Sequence, residues 1–274
     1  SADRVLEPSA GTGLLAILAE IEGSDLILNE LAETRADLLA ALFPANAVTR
    51  FDAAQIDDHL DRAAIPSVII MNPPFSVKSW NNGLENDYGR FEYGRPPEKN
   101  GDYAFLLHAL TSLKSTGKGA IILPHGVLFR GHAEAGIRKR LLQHGFIKGI
   151  IGLPANLFYG TGIPACIVIL DKENAVGRTG VFMIDASKGF IKDGNKNRLR
   201  SQDIHKIVDT FNNQRDIERY SRMVPMSEIA NPSNDFNLNI PRYIDSSEPE
   251  DLQDLHAHLH GGIPDRDLDL LNDY

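Results

Sequence analysis

The sequence predicts an α/β fold: a doubly wound, mostly parallel sheet of seven strands with an antiparallel edge hairpin and a C-terminal extension. Three observations predict it. Short apolar runs alternate with amphipathic stretches through most of the chain, the pattern of strand–helix units laid into a parallel sheet. The first run ends in a turn with two glycines, Gly11 and Gly13. The fourth run ends in Asn72-Pro73-Pro74-Phe75, where the backbone has to leave the sheet because proline lacks the donor N–H of a central strand.

The strand candidates are Arg4–Leu6, Leu26–Leu28, Val48–Phe51, Ser67–Met71, Ala120–Leu123, Ile147–Gly152 and Cys166–Leu170. Each is a short, mainly apolar run bounded by polar or turn residues. Helices are expected at Leu14–Ile21, Ala32–Leu42, Tyr103–Leu113 and Glu134–His144, where apolar residues recur at helical spacing. Ile147–Gly152 and Cys166–Leu170 have no helix between them, so they suit an antiparallel hairpin around the loop Leu153–Pro164. Lys78–Asn100 has no clear period and reads as a long loop, a feature that in compact domains is usually functional or disordered. Beyond Glu173 the alternation weakens. Val181–Asp185 suits one further strand and Ser201–Phe211 a helix. The expected organisation is a catalytic domain over 1–172, an extension with a basic segment over 173–245, and an acidic tail over 246–274.

The composition is that of an ordinary globular protein: 274 residues, 42% apolar and 24% charged. No apolar run approaches the roughly 20 residues that span a bilayer. A single cysteine, Cys166, rules out an internal disulfide framework and fits a reducing, cytoplasmic compartment. It lies in a strand-like run, where a small core residue is the expected role. The net charge of -9 is awkward for a protein that grips nucleic acid alone, since phosphate contacts need Lys and Arg. Either the cations are concentrated locally or a partner supplies the grip.

The candidate site assembles at the C-terminal strand ends, where open α/β sheets bind ligands. In Glu7-Pro8-Ser9-Ala10-Gly11-Thr12-Gly13 the two glycines allow a tight turn and close backbone approach. The dinucleotide pattern G-x-G-x-x-G is not met, and no Lys follows to cradle a phosphate. An acid before such a turn suits a cationic or zwitterionic nucleoside, of which S-adenosylmethionine is the common one. Glu30, after the second strand, is placed to accept from both ribose hydroxyls, and Asp52, after the third, from the adenine amine. Each taken singly also suits a helix-terminal charge or cap. Asn72, Pro73, Pro74 and Phe75 present an amide, unpaired carbonyls and a ring side by side, a set that suits a flat, amine-bearing substrate. A capping Asn at a Pro-terminated strand is the alternative.

These residues resemble the N6-adenine (amino) DNA methyltransferases. Glu7–Gly13 is similar to their cofactor motif, and Asn72–Phe75 matches their catalytic [DNS]-P-P-[YF] motif at every position. Further on, the chain resembles the modification subunit of type I restriction–modification systems. The stretches that carry this are Gly101-Asp-Tyr-Ala-Phe105, Leu123-Pro-His-Gly-Val-Leu-Phe-Arg-Gly131, the run from Ile151 to Cys166, and Phe236-Asn-Leu-Asn-Ile-Pro-Arg-Tyr243. The stretch up to Phe75 is more similar to methylase domains found outside type I systems. The resemblance implies a Rossmann-like class I methyltransferase fold and S-adenosylmethionine as methyl donor. It further implies adenine N6 of double-stranded DNA as acceptor, with partners that read the DNA sequence and possess the nuclease. Type I modification subunits usually carry an N-terminal helical domain and a cofactor-contacting segment upstream of the glycine turn. Here the first strand begins almost at residue 1, so a fragment, or a chain without its upstream domain, is expected. Methyl transfer to protein glutamine or RNA, and a non-catalytic cofactor-binding scaffold, are the alternatives.

Other constellations carry less. Phe158 or Tyr159, in the loop after the sixth strand, is placed to stack on a flipped base, with loop packing as the alternative. Lys192, Lys196, Arg198 and Arg200, in a basic segment where Asp193 is the only acid, are candidate phosphate contacts or a surface loop. Arg138-Lys139-Arg140 reads as a solvated helix face, with DNA contact as the alternative. His256, His258 and His260 alternate, but no Cys or structured acid cluster accompanies them, so no metal site is expected.

Overall fold

The computed structural model describes residues 3–55, 65–84, 89–247, 259 and 261. The triple-histidine run and nearly all of the expected acidic tail lie outside them. The first half alternates as anticipated: β1 (Arg4–Glu7), α1 (Leu14–Ile21), β2 (Asp25–Asn29), α2 (Glu33–Leu42), β3 (Val48–Thr49), β4 (Val68–Met71), α3 (Asp102–Ser112), β5 (Lys118–Pro124), α4 (His132–Gln143) and β6 (Ile147–Gly152). Then come β7 (Ala165–Asp171), β8 (Gly180–Asp185), a small hairpin of β9 (Ile191–Asp193) and β10 (Lys196–Arg198), α5 (Ser201–Asn213), β11 (Ser221–Pro225) and the single turn α6 (Met226–Ile229).

The main sheet has nine strands in the order β11-β8-β6-β7-β5-β4-β1-β2-β3. The α/β class and the mostly parallel sheet are as the sequence predicts, and two details differ. Strands β6 and β7 do form an antiparallel pair, but β7 is slotted between β5 and β6 rather than at an edge. The sheet also continues past β6, through parallel β8 and antiparallel β11. Both come from the stretch beyond residue 172. The reason is that β8 is buried at all six positions, so it needs neighbours on both sides. Local periodicity identifies such a strand without saying where it inserts.

Helices cover both faces. Leu6, Ile69, Met71, Ile121, Leu123, Cys166 and Val168 point to the α3 and α4 side, and α3 is buried nearly all round, as an interior helix must be. Val5, Leu26, Leu28, Val68 and Ile70 point to the α1 and α2 side. On that same face Ile151, Phe182 and Ile184 meet α5. Cys166 is fully buried and burial pushes its thiol up, the behaviour of a core residue.

This winding aligns the C-terminal ends of β1 to β6 and β8 along one edge. The chain order reverses between β1 and β4, the switch point where a crevice opens. Among the described residues no helix is long and apolar enough to cross a membrane, and no group of His, Cys, Asp or Glu could hold a metal ion.

Candidate active site

The turn after β1 is held by glycine geometry. Gly11 and Gly13 have φ of 57° and 82°, a region that costs other residues steric strain. A Cβ on Gly13 would lie 2.9 Å from both Leu39 and Phe43, whereas around Gly11 there is open space. The first glycine therefore leaves room for a ligand and the second lets α1 approach α2.

Glu7 ends β1 and is 2% exposed. Burial pushes its carboxyl up to about 8; the Ala16 backbone N–H pulls the other way, and the charge of Glu30 adds to the rise. Its Oε2 and the Ser9 hydroxyl are buried without a hydrogen-bond partner. Unpartnered polar groups buried in a cradle are costly and are expected to find a partner. A ligand bearing an ammonium and a sulfonium provides a donor and a counter-charge, so the donor set fits S-adenosylmethionine.

Glu30 is 5% exposed and engaged on both oxygens. Oε2 accepts from Gly11 N at 2.9 Å, tying it to the glycine turn. Oε1 accepts from Ala32 N at 2.9 Å and from Arg35 at 2.7 Å. A carboxylate offers about four acceptor positions, so one hydroxyl finds room on Oε2 and a second needs Arg35 to swing away. Asp52 closes its own turn, accepting from Ala54 N at 3.0 Å and Gln55 Nε2 at 3.3 Å.

Sequence reading missed the residue that holds these strand ends together. Asn29 is buried and makes four hydrogen bonds. Its Nδ2 donates to Pro8 O and Phe51 O, and its Oδ1 accepts from Thr49 Oγ1 and Phe51 N, all at 2.9 Å. It thus ties the turn after β1 to the chain after β3. The signal was available: a polar residue closing the apolar run Leu26–Leu28, immediately before Glu30. Asn29→Leu keeps the branched heavy-atom shape and leaves those groups unpaired, so stability falls by roughly 2–4 kcal/mol. Urea unfolding checks this, and a loss below about 1 kcal/mol would remove the clamp from the account.

Asn72 follows β4, next to β1 in the sheet. Its side chain is exposed and makes no hydrogen bond to any described residue. It is therefore not the strand cap of the alternative reading. Pro73 is buried, Pro74 exposed and Phe75 half-buried. The Phe75 ring meets Phe158 edge-on, with centroids 5.7 Å apart. Of the two loop aromatics Phe158 is thus brought to Phe75, while Tyr159 is 94% exposed.

The basic segment holds up this aromatic pair. Strands β9 and β10 form a hairpin around Gly194, whose φ is 61°. Lys196 donates to Phe158 O at 2.6 Å and Thr161 O at 2.9 Å, and Asn197 donates to Ala155 O, so the hairpin braces the loop that carries Phe158. Arg198 pairs with Asp193 across the hairpin, and Arg200 with Asp203 at the start of α5. Lys192 lies over the Phe190 ring at 5.7 Å. Arg138 corrects the solvated-face reading. It is 2% exposed and donates to Phe236 O at 2.8 Å and Arg130 O at 3.0 Å, because α4 packs this side against the C-terminal extension.

Known proteins share this chain's sequence pattern and fold. The sequence profile of the N-6 DNA Methylase family matches residues 46–252. The chain is 33% identical over 210 residues to the type I restriction enzyme MpnII methylase subunit of Mycoplasma pneumoniae, covering 74% of this chain and 38% of that protein. It is 31% identical over 281 positions to the MjaVII methylase subunit of Methanocaldococcus jannaschii, covering 93% and 48%. A crystal structure of a type I restriction-modification methyltransferase subunit from Streptococcus thermophilus superposes with a TM-score of 0.78 at 34% identity, covering 89% of this chain and 55% of that one. The chain thus spans less than half the length of these two curated relatives. With a glycine turn under a buried acid, a free Asn72 beside it and a match over three quarters of its length, the chain belongs to the N-6 DNA methylase family.

Proposed function

We propose that the chain methylates the N6 amine of an adenine flipped out of double-stranded DNA, using S-adenosylmethionine, as the modification part of a type I restriction–modification assembly. The observation that carries this reading is the unengaged Asn72 amide, held beside Phe75 and Phe158 and one strand away from the Glu7 turn.

When bound, S-adenosylmethionine supplies an electrophilic methyl group. Glu7, Ser9 and the Gly11 turn would hold it, with Glu30 on the ribose. The chain's own work lies with the acceptor. The exocyclic amine of adenine is a weak nucleophile because its lone pair is delocalised into the ring. Asn72 Oδ1 and the Pro73 carbonyl would accept its two N–H bonds and favour a pyramidal nitrogen. Positioning and preorganised dipoles then supply the rate. No covalent intermediate is needed, in keeping with a buried Cys166.

Extracting the base costs a few kcal/mol. Phe75, propped by Phe158, would repay part of it by stacking, worth roughly 1–3 kcal/mol per base. Phe75→Ala is therefore expected to weaken base capture by about 10–100-fold while S-adenosylmethionine binding stays within threefold. Fluorescence of 2-aminopurine at the target position reads the capture; an unchanged signal would remove Phe75 from this role. The engaged cations of the basic hairpin and the net charge of -9 are the reasons to assign most of the DNA grip to a partner, of the kind that reads sequence. The deciding experiment is tritiated methyl transfer to mixed DNA, with and without a specificity subunit, followed by nucleoside analysis. N6-methyladenine is expected; label in protein or RNA, or cofactor binding without transfer, would overturn the reading.

A further inference from the structure

We propose that Asp102 is a positioning residue for the Asn72–Phe75 loop, acting through the backbone of Ser76 with Arg130 as its counter-ion. Its catalytic consequence rests on the methyl-transfer reading; its anchoring role rests on geometry alone.

Pro73 and Pro74 carry no N–H, so the loop has few backbone donors with which to fix itself. The donor it does use is Ser76 N, which gives its hydrogen to Asp102 Oδ1 at 2.7 Å, while the Ser76 hydroxyl lies 3.4 Å from Oδ2. Ser76 has φ of 53°, a strained conformation for a serine that persists only when its surroundings impose it. This residue turns the chain away directly after Phe75. The Asp102 contact is therefore what fixes the direction from which Phe75 leaves the loop.

Asp102 is built for this. It is fully buried, as the first residue of α3, where the helix dipole favours a negative charge. Its own N–H is capped by Asn100 Oδ1 at 3.0 Å. Arg130, in the turn after β5, reaches Asp102 Oδ2 at 2.5 Å and Glu134 Oε2 at 2.6 Å. A carboxylate held from two sides cannot follow the loop if the loop moves. One residue on, Gly101 N donates to Val77 O at 2.9 Å. The Trp80 side chain lies against Gly101, so close that a Cβ there would be 3.1 Å from it. Trp80 is the sole tryptophan and is 2% exposed, so it reports on this junction without any reference to activity.

The test uses the full chain with Asp102→Ala and Asp102→Asn. Three quantities are measured: single-turnover methyl transfer, S-adenosylmethionine affinity by calorimetry, and acrylamide quenching of Trp80. The Ala variant is expected to lose about 10–100-fold in transfer rate, as small misplacements of reacting groups do, with cofactor affinity within threefold and Trp80 more easily quenched. The Asn variant keeps an oxygen for Ser76 N and is expected to recover most of the rate and the parent's quenching. Equal losses in the two variants would mean that the charge toward Arg130, not the Ser76 contact, matters, and would overturn the proposal. So would a rate loss matched by an equal loss of cofactor affinity. If the Ala variant does not fold, Asn alone decides, a loss beyond a hundredfold counting against. If the parent itself transfers no methyl group, the functional reading fails. Quenching still decides the anchor: higher in Ala than in Asn supports it, and no difference between them overturns it.

Discussion

Asn72→Ala is expected to lower methyl transfer by roughly 10²–10³-fold, the usual cost of removing one preorganised polar group aimed at the reacting centre. Cofactor affinity is expected to stay within threefold of the parent. The asymmetry follows from the structure. The Asn72 side chain makes no hydrogen bond to the described residues, so its removal breaks no contact that holds the sheet or the Glu7 turn. Its truncation is therefore expected to remove the proposed acceptor for substrate and little else. Pro73 and Pro74 keep the backbone in place, since their fixed φ is unaffected. Single-turnover assays with saturating cofactor separate chemistry from binding. Transfer retained within a few-fold would exclude Asn72 as acceptor of the amine hydrogens, and a parallel fall in cofactor affinity would assign it to the wrong ligand.

Much of the site was legible because its signals are local. A Pro-Pro step after an apolar run, and two glycines after another, state where the backbone leaves the sheet whatever the rest of the chain does. β6 was read at its observed bounds, Ile147–Gly152, and α1 at Leu14–Ile21, since each is an apolar run closed by turn residues. What was not legible is non-local. The position of β7 between β5 and β6 depends on which strand edges remain free once the others have paired. β11, Ser-Arg-Met-Val-Pro, has only two buried residues and no period to read. The β9–β10 hairpin did carry a local signal: Gly194-Asn195 between two short runs is a hairpin turn. The many cations around it drew attention to phosphate instead. In the structure Lys196 and Arg198 serve carbonyls and a carboxylate within the fold. Asn29 and Asp102 share a different fate. Asn29 was visible as a polar residue closing an apolar run and Asp102 as an acid at the start of one, and only the three-dimensional partners disclose that one ties the turn after β1 to the chain after β3 and the other holds Ser76 after β4.

Glu7→Gln is expected to have opposite effects on binding and on stability. A buried carboxyl whose value is pushed up to about 8 is protonated in the free protein at neutral pH. The folded state then holds a proton that the unfolded chain, at ordinary carboxyl values, has released. Such a group favours folding fully below its ordinary value, and that contribution is lost as pH rises toward about 8. Glu7→Gln cannot ionise. Stability of the free protein should therefore fall less steeply between about pH 5 and 8 than in the parent, by up to a few kcal/mol over the window. Binding a cationic ligand reverses the preference, because the ionised carboxylate then has a partner. At pH 7 the parent is expected to release about one proton per cofactor bound, and the Gln variant correspondingly less. Calorimetry in buffers of different ionisation enthalpy measures the difference, which cancels any proton that the cofactor itself exchanges. Affinity should drop about 10–100-fold, the worth of one charge-assisted contact at roughly 1.5–3 kcal/mol. Equal proton release from parent and variant would show that Glu7 is already ionised in the free protein. The unpartnered Oε2 would then be a structural acceptor rather than the seat of the cofactor's charge.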